Sequence, residues 1–279
     1  MRTAHTGLLI RMVFELNNLN VASFAGPDAA DFLHAQLSAD IAALRDGEST
    51  FACYCTPKGQ VIALLLVCRD GDDFLVAAAA ELLPAVLQRL RMFVLRSKVE
   101  FSLVENLNVF GLDETCDQRK NLQIFTPGEH DLAYAVAEAV PDALIDSEKW
   151  KARELQRGIV WLSPATSGKF IPQMLGYQDI GAVSFSKGCY PGQEIVARTK
   201  YLGRVKRKPG LLLLEPELQI PPGSAVQLST DSGTIDGIVV DSVNEGHGRS
   251  LLFSVARFEE DQPVIALEHG GRNYRCATM

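Results

Sequence analysis

Ser186-Lys187-Gly188-Cys189-Tyr190-Pro191-Gly192-Gln193-Glu194-Ile195-Val196-Ala197-Arg198 is the stretch around which the rest of this chain is read. Two glycines bracket a cysteine and a tyrosine, with a proline before the second glycine. Tyr190-Pro191-Gly192-Gln193 suits a tight turn, because proline presets φ at the second position and glycine tolerates φ > 0 at the third. The residues from Gln193 to Arg198 continue either as a short helix or as an extended segment. Gly188 lets the backbone approach a neighbour closely, which leaves Cys189 at the mouth of the turn. If a helix starts after the turn, its free N–H groups and the adjacent Lys187 favour the thiolate. The opposing reading is a glycine-rich turn whose cysteine is buried and inert, since free cysteine is among the most buried residue types.

The 279 residues exceed one ordinary domain, so two or three modules are expected. Hydrophobic residues make up 47% and charged residues 22%, which is the balance of a soluble globular protein with apolar material for a core. A net charge of −7 argues against a wholly basic nucleic-acid binder but leaves room for local patches. No uncharged apolar run approaches the ~18 residues of a membrane span. Six cysteines are scattered without a C-x-x-C pair or zinc spacing, so no metal site is expected. Cys53 and Cys55, two apart on an expected strand, share a face but have no third ligand nearby in sequence. The start lacks a secretory core and cleavage site; it carries two arginines and no acid, a faint organelle-type signal, and Met12 is an alternative start. Reduced thiols in a cytoplasm are the expectation.

Along the chain, residues 14–24 read as extended or a hairpin turning at Asn17-Asn18, and Asp28 as the N-cap of a helix with Phe32, Leu33, Gln36 and Leu37 on one face. Strands follow over 49–56, 61–68 and 74–78. Residues 81–96 form the clearest helix, with Phe93 and Val94 among its periodic apolar positions. A strand over 99–104 completes an α+β layer of ferredoxin-like kind with a mixed or antiparallel sheet. A second α+β stretch runs from Leu107 to about Lys200, and its helix over 147–157 stops at Gly158, a C′ glycine. From Val205 onward, five short apolar runs alternate with Gly- and Pro-rich turns, which predicts an all-β module, a small barrel. The expected division is residues 1–204, made of two α+β halves split near 105, and residues 205–279 as the barrel.

Lys187-Gly188-Cys189-Tyr190-x-Gly192-Gln193-Glu194-x-x-Ala197-Arg198 resembles the signature of the YgfZ family, folate-binding proteins related in fold to the glycine-cleavage T-protein, an aminomethyltransferase. Three further stretches fit the same family: Ser167-Gly168-x-Phe170-Ile171-Pro172-Gln173 with Gly181-x-x-Ser184-Phe185, then Gln36-Leu37-Ser38-Ala39-Asp40-Ile41, and Thr56-Pro57-Lys58-Gly59 before an apolar strand. The resemblance spans nearly the whole chain. It implies interlocked α+β domains plus a C-terminal barrel around a central hole where tetrahydrofolate lies. It also implies a role in keeping iron–sulfur enzymes active, including the radical enzymes that methylthiolate tRNA, so its implied partners are folate and those enzymes. Cys189 and Lys187 are the expected chemical pair, and Gly188, Tyr190, Gly192, Gln193, Glu194 and Arg198 the rest of the motif. Trp150 stands where family members contact folate, whereas the N-terminal tryptophan of some members is Leu19 here.

The paired aspartates that T-proteins carry on the strand after the glycine turn fall at Ala63 and Leu64. An apolar pair neither stabilises a developing cation nor moves a proton. This argues against aminomethyl transfer and leaves open whether the chain is an enzyme; a folate-dependent methyl transferase or demethylase using other residues is the alternative. A third reading starts from Arg198, Lys200, Arg204, Lys206, Arg207 and Lys208, six cations with no acid among residues 198–208. Arg204, Lys206 and Arg207 would lead an RNA or phosphate patch, with tRNA as a partner; the opposing reading is a solvated linker. A Cys-His hydrolase needs His130 or His247 beside Cys189, which the sequence does not indicate. Trp161 is equally a core aromatic or a ligand contact.

Overall fold

The computed structural model describes residues 13–112, 123–127, 132–140, 147–201, 203, 205–258 and 263–277. Arg204, His130, Cys116 and the residues before Val13 lie outside them. Strand β1 (Val13–Glu15) and strand β2 (Leu19–Ala25) are joined at the Asn17-Asn18 turn, where Leu19 N–H donates to Leu16 O at 3.0 Å. They are not a hairpin. β2 enters an antiparallel sheet ordered β3-β4-β5-β2-β6, built with Ser49–Cys55 (β3), Val61–Asp70 (β4), Asp73–Ala79 (β5) and Glu100–Leu103 (β6). β1 instead enters a sheet ordered β1-β7-β9-β8, with Asn108–Leu112 (β7), Gln123–Phe125 (β8) and Ala133–Ala137 (β9). One two-residue turn therefore ties the two sheets together.

The core follows from β-branched and aliphatic residues on strands buried from both faces. Leu64, Leu65, Leu66 and Val67 of β4 are all buried, each worth roughly 1.5–3 kcal/mol relative to exposure. Helix α1 (Ala29–Gln36) buries Ala29, Phe32 and Leu33. Asp28 holds its N-cap position, but the carboxylate does not cap the helix; it accepts Lys98 N–H at 2.6 Å and fixes the chain that enters β6. Helix α2 is shorter than its periodicity predicts, Leu83–Arg91. It stops because the next turn leaves helical geometry, with Leu95 at φ +44°. Met92, Phe93 and Leu95 are consequently exposed, so Phe93 is not a core residue.

Helix α3 (Ser147–Gln156) ends as expected at Gly158, whose φ is +74°. Gly158 N–H donates to Leu155 O at 3.1 Å and Ile159 N–H to Glu154 O at 2.8 Å, the paired bonds of a Schellman cap. Downstream lies helix α4 (Gln193–Tyr201). Then comes a closed antiparallel barrel ordered β10-β13-β12-β11-β14-β15: Lys208–Glu215 (β10), Ala225–Thr230 (β11), Gly233–Gly246 (β12), Arg249–Ala256 (β13), Val264–His269 (β14) and Arg272–Ala277 (β15). The closing strand β15 is invisible to an apolar-run search, because Cys276 is its single buried side chain. Among the described residues no helix is long and apolar enough to cross a membrane.

Candidate functional site: the cysteine turn and the cavity beside Trp150

The cysteine stretch folds as the tight turn its composition dictates. Gln193 N–H donates to Tyr190 O at 3.1 Å, and Gly192 adopts φ +83°. Of the two continuations open to the chain after this turn, the helix α4 is the one formed. Gly192 is also a contact point. A Cβ there would lie 2.5 Å from Thr56 O and 2.6 Å from the Gly59 backbone, while Gly59 itself has φ +73° and faces Ile195 of α4. The Thr56-Pro57-Lys58-Gly59 hairpin and the cysteine turn thus meet backbone to backbone, and any side chain at Gly192 would push them apart.

The other singled-out stretches converge on the same place. Gly168 N–H donates to Val61 O at 2.7 Å and Val61 N–H to Phe170 O at 2.8 Å, so the Ser167–Phe170 segment runs beside the start of β4. The buried Gln173 side chain donates to Val196 O on α4 at 2.6 Å. Ser38 Oγ donates to Ala182 O at 2.6 Å and accepts Cys53 N–H at 2.7 Å, while Ser184 N–H donates to Ser38 O at 2.9 Å. Ser38 therefore stitches the segment after α1, strand β3 and the approach to the cysteine together.

Within this frame Cys189 is exposed, whereas Cys53, Cys55, Cys68 and Cys276 are buried; all five are free thiols. Lys187 points the opposite way. Its ammonium is nearly inaccessible and donates to Leu37 O at 2.7 Å and to His34 O, satisfying carbonyls at the C-terminal end of α1. It also lies 5.3 Å from the centroid of the buried Tyr190 ring. Burial pushes the Lys187 pKa down to about 8, against the opposing pull of Asp40 and Cys189. Lys187 is thus a structural tie between the cysteine turn and the end of α1. Gln193 Nε2 donates to Lys187 O at 3.3 Å, closing the turn, and Glu194 and Arg198 face solvent. Tyr190 is buried, and burial raises its hydroxyl pKa, with Cys55 and Cys53 adding to the rise. Those two cysteines share a buried face of β3 as their spacing predicts; the contact with Cys53, then burial, holds the Cys55 thiol well above its usual range. Among the described residues no three His, Cys, Asp or Glu side chains group as metal ligands.

His34 is the neighbour that sequence reasoning missed. It projects from α1 so that its Nε2 would lie 3.9 Å from a Cβ at Gly188. No local pattern signals a contact across that much chain. His247, one of the two histidines considered for Cys189, sits in the β12–β13 turn with φ +56°.

Trp150 lies elsewhere, on α3, and is fully buried. One indole face covers Gly111, where a Cβ would come within 2.3 Å of the ring, and Phe14 and Tyr134 pack on it with centroids at 5.8 and 5.5 Å. Its edge borders a cavity of about 230 Å3 between α3 and the barrel, shared with Asn18, Lys151, Glu154, Gln219 and Ser242. Glu154 is the second residue that sequence reasoning missed. Its Oε1 accepts from the Tyr134 hydroxyl at 2.8 Å and from Trp161 Nε1 at 3.0 Å. Trp161 is thereby accounted for as a buried donor. Burial raises the Glu154 pKa to about 7, the hydrogen bonds from Trp161 and Tyr134 and the Lys151 charge acting against it. Lys151 pairs with Asp241 of the barrel at 2.7 Å, tying the two sides of the cavity together. A buried carboxylate beside an aromatic edge fits the in-plane N–H donors of a pterin. The volume lies below the ~300–1,000 Å3 of pockets that enclose whole drug-sized ligands, so it suits a ring head with the tail outside. A larger recess, about 490 Å3, lies at Ala25–Pro27 and Ser97–Glu100, away from both places. Ala63 and Leu64 are buried in the sheet core.

The two sheets and the closed barrel give this chain the fold of a T-type aminomethyltransferase. The chain is similar to the solved structure of glycine cleavage system aminomethyltransferase T from Bartonella henselae over 95% of this chain and 84% of that one, with TM-score 0.66 and 16% identity. It is 30% identical over 223 residues to the tRNA-modifying protein YgfZ of Klebsiella pneumoniae, covering 69% of this chain and 68% of the relative. Against the protein of that name from Vibrio atlanticus it is 26% identical over 276 residues, 91% of this chain and 82% of the other. No protein-family model matches the chain. The chain belongs to the YgfZ family.

Proposed function

We propose that this chain is a folate-binding accessory protein of tRNA modification that keeps iron–sulfur enzymes active, working in the cytoplasm. In this reading the region over 1–204 takes the folate and presents Cys189, with the barrel over 205–279 closing the cavity. The observation that carries it is the exposed thiol of Cys189 on a turn held rigid by the Gly59–Gly192 contact. The naming of relatives as tRNA-modifying proteins supports the tRNA side. Tetrahydrofolate would seat its pterin against Glu154, with Trp150 as the wall and Gln219 and Ser242 on the barrel side. The role of Trp150 is to shape and to report the cavity rather than to stack, because its face on Gly111 is already used.

The test is Cys189→Ala in cells lacking the native protein. Iron–sulfur enzyme activity, including tRNA methylthiolation, is expected to fall while the purified variant keeps its fold; normal activity refutes the proposal. For the ligand, tetrahydrofolate titration should quench tryptophan fluorescence, less so in Trp150→Phe, and Glu154→Leu should weaken binding. A one-carbon transferase remains the alternative and would show turnover of a methyl or aminomethyl donor by purified protein with tetrahydrofolate. The apolar surroundings of Ala63 and Leu64 weigh against it.

A second reading, RNA binding, is favoured by one surface. Lys200 Nζ lies 3.6 Å from the Phe185 ring centroid and 6.0 Å from that of Tyr201, which is 65% exposed. An open aromatic ring beside cations is suited to stacking an unpaired base while holding its phosphate. Exposed Arg198 and Lys206 extend the patch, with Arg207 half-buried.

A further inference from the structure

Strand β6 is an outer edge of the sheet ordered β3-β4-β5-β2-β6: among the described residues its one strand neighbour is β2. Val104 N–H donates to Val21 O at 2.9 Å, and the register sets Ser102 opposite Ser23 and Glu100 opposite Ala25. Bonded and non-bonded pairs alternate along an antiparallel ladder, so Glu100, Ser102 and Val104 turn their backbone groups towards β2. The N–H and C=O groups of Phe101 and Leu103 therefore point outward along the free edge. Such an edge is a template for a further strand unless a proline or a bulge blocks it. β6 has no proline, and its pairing with β2 has no register shift. Its start is fixed in advance. Asp28 accepts Lys98 N–H at 2.6 Å, the Asp28 N–H donates to Lys98 O at 3.3 Å, and a Cβ at Gly26 would fall 2.5 Å from that oxygen. An edge already held in place loses little freedom when a partner docks. The recess of about 490 Å3 at residues 25–27 and 97–100 lies beside it.

The loop that leads into β6 presents Met92, Phe93 and Leu95 to solvent, and Leu95 is 89% exposed at φ +44°. A large apolar side chain in that conformation and in water is neither packed nor relaxed. Arg91, Arg96 and Lys98 are exposed among these residues, and no acid occurs over residues 82–99 of a chain with net charge −7. The combination selects the occupant. The rest of an acidic chain repels an anionic lipid surface, which also has no backbone to match β6. We propose that the free edge of β6 and the loop over 92–98 form a docking site for an extended, acidic segment of a partner protein. The segment adds to the sheet as a strand beyond β6. Its backbone pairs with Phe101 and Leu103, its carboxylates meet Arg91, Arg96 and Lys98, and its apolar side chains cover Leu95 and Leu103.

The probe is a fluorescein-labelled peptide of about ten residues in which glutamate alternates with valine and leucine, titrated with the full chain by fluorescence anisotropy. Affinity should fall about tenfold when lysine replaces glutamate throughout the peptide, and it should weaken as salt is raised. N-Methylation of alternate peptide residues keeps the side chains but removes ladder donors, and should also cost about tenfold. Leu103→Pro removes an outward N–H and no bond to β2, and should weaken binding by about the same factor. Leu95→Asn suits the positive φ, so thermal stability should hold or rise while affinity falls about threefold; it keeps the test open if the proline variant does not fold. Arg96→Glu combined with Lys98→Glu should turn the preference towards the lysine peptide. Absence of binding overturns the proposal, as do equal affinities for the glutamate and lysine peptides or for the methylated and plain ones. Sedimentation with phosphatidylserine vesicles in place of peptide binding overturns it in favour of a lipid surface. A dimer of the chain that Leu103→Pro dissolves overturns it in favour of a second copy.

Discussion

The cysteine turn and the cavity beside Trp150 are built on opposite plans. At the turn the constraint is backbone: Gly59 and Gly192 touch, Ser38 and Lys187 fasten neighbouring segments through main-chain carbonyls, and the thiol is left outside. At the cavity the constraint is side chains: Tyr134 and Trp161 hold one oxygen of Glu154, Lys151 reaches Asp241, and the polar groups are drawn inside. The first plan presents a group whose surroundings cannot shift, and the second stores a carboxylate whose charge state depends on what enters. Rigid presentation suits covalent or redox work at the surface, and a tunable buried acid suits recognition of a small polar ring.

This contrast breaks most severely at Gly192. Gly192→Ala forces a Cβ into the Gly59 contact at positive φ and should cost ~4 kcal/mol in chemical denaturation. Gly181→Ala, at φ +72° with open space around it, should cost only ~1 kcal/mol. Equal losses would show that the turn does not depend on that contact. Glu154 sharpens the other side. With its pKa raised from 4.5 to about 7, the folded chain holds a proton that the unfolded chain releases across that window. Stability therefore falls as pH rises from about 4.5 through about 7, by ~3 kcal/mol. Glu154→Gln should remove that slope in denaturation curves taken at pH 5 and pH 8. Tyr201→Ala should weaken binding of a tRNA anticodon stem-loop about tenfold by fluorescence anisotropy without lowering thermal stability. The smallest effect is expected for Cys189→Ala, within ~0.5 kcal/mol of the parent in stability because the side chain is exposed.

What the sequence discloses is what local chemistry controls. Proline and glycine at residues 191 and 192 set the turn, Gly158 sets the end of α3, and the apolar runs of β3, β4 and β5 set the first sheet. What it conceals depends on distant partners. Asp28 looks like a cap because its type suits one, yet Lys98 N–H claims its carboxylate. Phe93 keeps helical periodicity past Arg91, where α2 has ended and the backbone bonds shorten to Phe93 N–H to Leu90 O and Val94 N–H to Arg91 O. β15 has almost no apolar signature, since barrel closure needs its backbone more than its side chains. His34 and Glu154 join their sites only through tertiary contacts, so no spacing rule reaches them. The four motif stretches could be quoted from the sequence, but that they share one location is a fact of the fold.

The crossing of the chain at Asn17-Asn18 has a consequence for biosynthesis. As the polypeptide leaves the ribosome, β2 can pair with β5 before β7 is made, while β1 stays unmatched until β7 has emerged. The leading end is thus a latch shut late, and ribosome-stalled chains cut before β7 should lose Val13–Glu15 to protease while retaining the first sheet.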